Sequence, residues 1–282
     1  MVRVKDILAW IDDYAPFRYA ESWDRCGLQV GDPQARVERV LVALDPGTSS
    51  IEEAQRLECQ CLVSHHPLIF RPLNTVREDR FPECLVIRAL KAGIHLIAAH
   101  TNLDASRGGT NELLSEMLSL DSHGPLEVNA AWRSDDRYAG MGRMGVLPEA
   151  MSLDRLSRSV QKALGGIDVR VVGRPEQQVE LVALCTGSGG GLLERAIEAG
   201  ADAYVSGDIK YHEAQRAVEA GLGLIDVGHY ASEKPIVELL ASYLRSRSAE
   251  EGLVLDVVAA CDESDPFRFY QVGTENREES DG

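Results

Sequence analysis

Val40-Leu41-Val42-Ala43-Leu44-Asp45 is an unbroken apolar run closed by a carboxylate, and Leu181-Val182-Ala183-Leu184-Cys185 repeats its Leu-Val-Ala-Leu core after a one-residue shift. Short apolar runs bounded by turn residues read as buried strands. The segments downstream of the two runs also match. After the first come a Pro/Gly/Ser turn, a helical stretch from Ser50 to Leu57 and a strand, Cys61-Leu62-Val63-Ser64. After the second come a turn from Thr186 to Gly191, a helix from Leu192 to Ala199 and a strand, Ala203-Tyr204-Val205-Ser206. Ala92-Gly93-Ile94-His95-Leu96-Ile97 then answers Ala220-Gly221-Leu222-Gly223-Leu224-Ile225.

This β-α-β order with short connections implies parallel strands with helices covering the sheet. The expected fold class is α/β, with two similar α/β domains produced by an internal duplication. The halves are expected over residues 1–125, completed by the C-terminal segment, and 126–273, with a disordered tail over 274–282. Between the copies, Gly140 to Val146 reads as a strand, Ser152 to Leu164 as a helix capped by Ser152, and Val169 to Val172 as another strand.

Sites in such sheets lie beyond the carboxyl ends of the strands, and there this sequence collects imidazoles and carboxylates. Ser64-His65-His66-Pro67 ends one strand. Ala99-His100-Thr101-Asn102-Leu103-Asp104 and Gly228-His229-Tyr230-Ala231-Ser232-Glu233 each place a carboxylate four residues after a histidine. Imidazole with carboxylate is the ligand set of zinc, manganese and iron, so a metal site in the cleft between the halves is expected. Pro67 turns the chain and lets His65 and His66 reach different ions, which suggests two metals. Asp104 is read in a tight loop before a helix from Thr110 to Leu118. Glu233 is read in the first turn of a helix running to Leu244, after Ser232 as cap and before Pro235. His100 is assigned a supporting place, and His212, Asp208 and His100 are the candidates for proton transfer. The Gly187-Ser188-Gly189-Gly190-Gly191 run suits a phosphate cradle and a plain tight turn equally, because it lacks the Lys-Ser/Thr ending of a P-loop.

Composition narrows the partners. The 282 residues, 44% of them hydrophobic, are enough for a large core. A formal net charge of -16 opposes wrapping of nucleic acid, which needs phosphate-neutralising Lys and Arg, but leaves room for a local basic pocket. None of the six cysteines forms a C-x-x-C pair, which fits a reducing compartment. No apolar run reaches the roughly 18 residues of a membrane span. A cytoplasmic protein with a small-molecule substrate, and with neither nucleic acid nor membrane as partner, is the expectation.

Trp23-Asp24-Arg25-Cys26-Gly27-Leu28-Gln29-Val30-Gly31, Ser64 to Phe70, Ala99 to Asp104, Ser206-Gly207-Asp208-Ile209-Lys210-Tyr211-His212 and Gly228 to Pro235 together resemble the NIF-three-like family, whose members are often labelled GTP cyclohydrolase 1 type 2 homologues. The resemblance runs from about Trp10 to Tyr270. It implies two divalent ions per subunit, His66 and Asp104 holding one, His65 and His229 the other, and Glu233 touching both. It also implies a homohexamer built as a trimer of dimers, and hydrolysis of GTP with opening of the purine imidazole ring and loss of formate. A metal carrier or regulatory scaffold without turnover would use the same five ligands. The stretch from Asp121 to Gln178 is too short for the extra domain that some relatives of that family carry.

Overall fold

The computed structural model describes residues 1–128 and 138–268, so the expected tail lies outside the described residues. The chain begins with β1 (Val2–Arg3), α1 (Val4–Tyr14), β2 (Gly27–Val30), β3 (Arg36–Val37), β4 (Arg39–Ala43), α2 (Thr48–Arg56), β5 (Cys61–Ser64), α3 (Glu83–Ala92), β6 (His95–Ala98), α4 (Thr101–Ala105) and α5 (Thr110–Met117). It continues through β7 (Asp121–Gly124), β8 (Arg143–Ser152), α6 (Leu153–Ala163), β9 (Arg170–Val172), β10 (Gln178–Ser188), α7 (Leu193–Glu198), β11 (Ala203–Gly207), α8 (Tyr211–Ala220), β12 (Gly223–Asp226), α9 (His229–Glu233), α10 (Ile236–Glu250) and β13 (Asp256–Ala259).

One sheet has the order β13-β4-β5-β6-β2 and the other β7-β8-β10-β11-β12-β9. Each contains three successive parallel strands, β4-β5-β6 and β10-β11-β12, with an antiparallel strand on the far side of the third. The duplication extends to individual hydrogen bonds. Gly93 and Gly221 end α3 and α8 with φ of 68° and 70°, a left-handed conformation that glycine adopts without a Cβ penalty. The next amide in each copy reaches back to Ala89 O at 2.9 Å and Ala217 O at 3.0 Å, closing the same helix-ending motif.

Alternation along the central strands divides each domain into layers. Val40 and Val42 of β4 face α1 and α10, packing with Ile7, Ile11, Leu240 and Leu244, while Leu41 and Ala43 face Ile51 of α2 and Leu85 and Ala89 of α3. In the second domain Val182 and Leu184 pack with Leu114 of α5 and Leu156 and Val160 of α6, and Ala183 and Cys185 with Leu193 of α7 and Ala217 of α8. Covering a strand on both faces is what its unbroken apolar sequence requires. The expected Ser152 cap is present, its Oγ accepting from Arg155 N at 3.2 Å.

The chain does not divide cleanly along its length. β7 already belongs to the second sheet, whereas α10 and β13 return to the first, with Val257 and Leu240 in one core. Strand β10 spans Gln178 to Ser188, beyond the expected Leu181 to Cys185, because β8 pairs with its start at Gln178 and Val179 and Gly207 of β11 pairs with Ser188. Among the described residues, no helix is long and apolar enough to cross a membrane.

Candidate metal centre

Ser64 pairs with Ala98 at the end of β5 and β6, and Ser206 with Asp226 at the end of β11 and β12, so the segments leaving neighbouring strands start level. His65 and His66 leave β5 beside Ala99 and His100, which leave β6. The two His-x-x-x-carboxylate stretches fold as short helices rather than as the expected tight loop and first turn: His100 precedes α4, which holds Asp104, and α9 carries both His229 and Glu233. A spacing of four puts His229 and Glu233 on one helical face, and His229 Nε2 lies 3.0 Å from Glu233 Oε2.

Two groups of donors result. His65, Asp104 and Glu233 form one; His66, His229 and Glu233 form the other; within each group the ligating atoms lie within 4.8 Å of one another. His65 Nε2 stands 3.6 Å from both Asp104 Oδ1 and Glu233 Oε1, and His66 Nε2 3.0 Å from Glu233 Oε2. The donors thus lie in groups that differ from the pairing implied by resemblance: His65 stands with Asp104 and His66 with His229. The reason is that β5 delivers His65 toward the buried floor and His66 toward α9. Glu233 presents one oxygen to each group. His65, His66 and His100 form a further cluster on the first-domain side.

The surroundings leave these donors aimed inward. His65 Nδ1 donates to Ala99 O at 2.9 Å, His66 Nδ1 to Asp45 Oδ1 at 2.7 Å and His229 Nδ1 to Asp208 Oδ2 at 2.8 Å. A carbonyl or carboxylate oxygen can only accept, so Nδ1 keeps its proton and Nε2 is the atom offered to the centre. Nε2 of His65 and Oε2 of Glu233 are buried and make no aligned hydrogen bond. A buried polar atom without an aligned partner is costly, and a divalent cation held at each atom would satisfy it, His65 Nε2 in one donor group and Glu233 Oε2 in the other. The residues present thus fit divalent metal by donor type, burial and inward aim.

Without a cation the groups hold protons instead. Burial disfavours charge on His66, but Asp45 and Glu233 outweigh it and raise its pKa to about 10. Contact with Glu233 raises His229 to about 9, burial opposing and Asp208 assisting. Glu233 stays well below the usual carboxylate range despite burial, because His65, His229 and His66 surround it.

A sequence model of the family described as Duf34/NIF3 (NGG1p interacting factor 3) matches residues 2–266. The chain belongs to the Duf34/NIF3 family. Among its relatives, a Lactococcus lactis protein named GTP cyclohydrolase 1 type 2 homolog is 35% identical over 248 residues, 87% of this chain and 92% of that protein. A Streptomyces coelicolor protein of the same name is 34% identical over 273 residues, covering 96% and 95% of the two chains. The crystal structure of a Bacillus cereus protein related to NIF3 shares the fold, with a TM-score of 0.87 over 95% of this chain and 99% of that one at 24% identity.

In this Duf34/NIF3 chain the remaining candidates separate. Asp208, at φ 55° in a left-handed conformation that Asp tolerates, holds His229. His100 is held by buried Asp24, Nδ1 to Oδ1 at 3.0 Å, and its ring centroid lies 5.2 Å from that of His65. His212 is not brought in. It is exposed in the first turn of α8, where it pairs with Gln215 and Tyr211, because the capping contact of Glu213 with Lys210 N starts the helix there. Two contributors, Asp24 and Asp45, escaped the sequence reading, and a third, Gly187, entered it only within the glycine run. Asp24 also accepts from Thr101 N and Oγ1. Asp45 holds His66, and its closing place on the Val40–Asp45 run was the available signal. Gly187 lies so near the bridge that an added Cβ would stand 2.1 Å from Glu233 Oε1. The glycine run is accordingly a close-approach turn: Gly187 N donates to Ser232 Oγ, Gly189 is crowded by Tyr204 and Ser206, and Gly190 by the Glu213 carboxylate. Ser232 sits inside α9 and links it to this turn, so it does not cap the following helix.

Proposed function

We propose that this protein is a dinuclear-metal-dependent hydrolase acting on a nucleotide or related small phosphorylated substrate, with GTP the first substrate to test. The observation that carries the reading is the shared carboxylate, Glu233, which presents Oε1 to His65 at 3.6 Å and Oε2 to His66 and His229 at 3.0 Å, with His65 Nε2 and Glu233 Oε2 buried and without an aligned hydrogen bond. His65 and Asp104 would hold one ion, His66 and His229 the other, and Glu233 both. When bound, two divalent ions supply Lewis acidity and lower the pKa of a water at the site.

The chain's own residues set the conditions for hydrolysis. Ala99 O, Asp45 and Asp208 keep three imidazoles in the orientation that offers Nε2. Burial of His65, Asp104 and Glu233 excludes bulk water and strengthens electrostatic interactions. His100 is positioned by Asp24 beside His65 and His66, where its ring can take up or return a proton. The name GTP cyclohydrolase 1 type 2 homolog on the relatives supports the nucleotide class. The resemblance carries the accompanying expectation of a homohexamer, which a solution mass measurement checks, and composition that of a cytoplasmic location.

The test is release of formate or phosphate from GTP by metal-loaded protein, with Glu233→Gln as control. Release by the wild type and its loss in Glu233→Gln support the reading. Turnover unchanged in that variant would show that the centre is not the catalyst.

A further inference from the structure

Trp23 and Phe70 are 51% and 47% exposed, unusual for large aromatic side chains, and their ring centroids lie 5.7 Å apart at 54°. Trp23 also meets the His100 ring edge-on at 6.2 Å, and His100 in turn lies 5.2 and 5.6 Å from the rings of His65 and His66. A continuous series of rings thus leads from the donor groups to the surface.

The backbone beneath this series is fixed. Glu21 N donates to Thr101 Oγ1 at 2.9 Å, Asp24 N to Glu21 O at 2.8 Å, and Asp24 accepts from Thr101 N at 3.0 Å. On the other side Ile69 N donates to Gln29 Oε1 at 2.9 Å. An exposed aromatic pair on a rigid pedestal is suited to stacking, because its ordering cost is met before a ligand arrives. Each aromatic is followed closely by an exposed arginine, Arg25 and Arg71, and neither makes an ion pair among the described residues. In a chain of net charge -16, where many arginines have a carboxylate partner, two exposed arginines adjoining the aromatic pair in sequence and without an ion pair among the described residues point to an anionic ligand.

We infer that Trp23 and Phe70 form the stacking subsite for a planar heteroaromatic ring, with Arg25 and Arg71 receiving its phosphates and the ring's far edge directed past His100 toward the donor groups. This rests on the nucleotide-hydrolase reading for its substrate class and adds the residues that choose the ring. Trp23 is a specificity-determining residue.

Calorimetric titration of metal-loaded and metal-free protein with GTP, guanosine and inorganic triphosphate separates the contributions. Stacking on one aromatic is lost on truncation, so Trp23→Ala should raise the Kd for GTP and guanosine about tenfold and leave triphosphate binding unchanged. Trp23→Phe should restore most of the affinity, and Phe70→Ala should show a smaller loss of the same kind. Arg71→Ala and Arg25→Ala should weaken GTP and triphosphate but not guanosine. Metal content should be unchanged in all five variants. The inference is overturned if the wild type binds none of the three ligands, if Trp23→Ala weakens triphosphate as much as guanosine, or if it alters the oligomeric state with ligand affinity intact, which would assign Trp23 to a contact between copies. Trp23-dependent binding without wild-type turnover would sink the hydrolase reading and leave the subsite standing. Turnover with Trp23-independent binding would do the reverse.

Discussion

His66 and His229, one from each domain, bring their Nε2 atoms to 3.2 Å of each other, with Glu233 Oε2 3.0 Å from both. Two imidazole nitrogens at that distance both face the same carboxylate oxygen, an arrangement that a shared cation stabilises and that protons stabilise in its absence. Loading must therefore displace protons. His66 and His229 titrate at about 10 and about 9 in the metal-free protein, above the ordinary 6.5. Their raised values add stability that is fully present below about pH 6.5 and is lost as pH rises through 9 to 10. Zinc or manganese binding near pH 7.5 should release about two protons per subunit, falling toward zero above pH 10. Calorimetry in buffers of different ionisation enthalpy measures this number. A count of zero at pH 7.5 would place the ions elsewhere.

The carboxylates behind the histidines should matter selectively. Asp208→Asn and Asp45→Asn remove the charged acceptors of His229 Nδ1 and His66 Nδ1. Each should weaken one ion about 10- to 100-fold, while the ion held by His65 and Asp104 keeps its affinity. Competition titration against a chromophoric chelator resolves the two ions. Equal weakening of both would contradict the grouping.

Gly187→Ala tests the bridge from its other side. The new Cβ would meet Glu233 Oε1 at 2.1 Å in a backbone held at φ +65°. Left-handed backbone alone costs a non-glycine residue about 1–2 kcal/mol, so the fold should survive. Displacing the shared carboxylate should lower the metal content at both positions, read by elemental analysis beside an unchanged circular dichroism spectrum.

Arg143 is fully buried and donates to Glu112 Oε2 at 2.6 Å, to Gly140 O and Gly142 O at 2.9 and 2.7 Å, and to Ser106 O at 2.9 Å. It ties the start of β8 to the segment around α5. Arg143→Ala leaves these acceptors buried and should destabilise the protein by about 3–5 kcal/mol, seen as a lower urea midpoint. A change below about 0.5 kcal/mol would mean that water replaces the guanidinium.

The parts of the centre that were legible in the sequence are those whose chemistry is local. Apolar runs announced β4, β5, β10 and β11, the ends of strands announced His65, His66 and His229, and the spacing of four from a histidine announced Asp104 and Glu233. Groups recruited across the fold were not legible. Asp24 lies 76 residues before His100, and Asp45 lies 21 before His66. Neither falls at a position where the two copies match, so the repeat could not single them out. The grouping of the donor side chains was likewise hidden, because it depends on how far β5 carries each histidine toward the second domain, a distance that no spacing encodes. His212 attracted notice through its neighbours Asp208 and Lys210, yet the capping of α8 turns it to solvent.

The return of α10 and β13 to the first sheet has a consequence for synthesis on the ribosome. Strands β4, β5 and β6 emerge early, but one face of their sheet must wait for Leu240 and Leu244, and the edge of β4 for Val257. The strands of the second sheet are all made before α10 begins. The domain that begins second is thus completed first, and the unit carrying His65, His66 and Asp104 closes only as the last strand leaves the exit tunnel, after Glu233 has already been delivered.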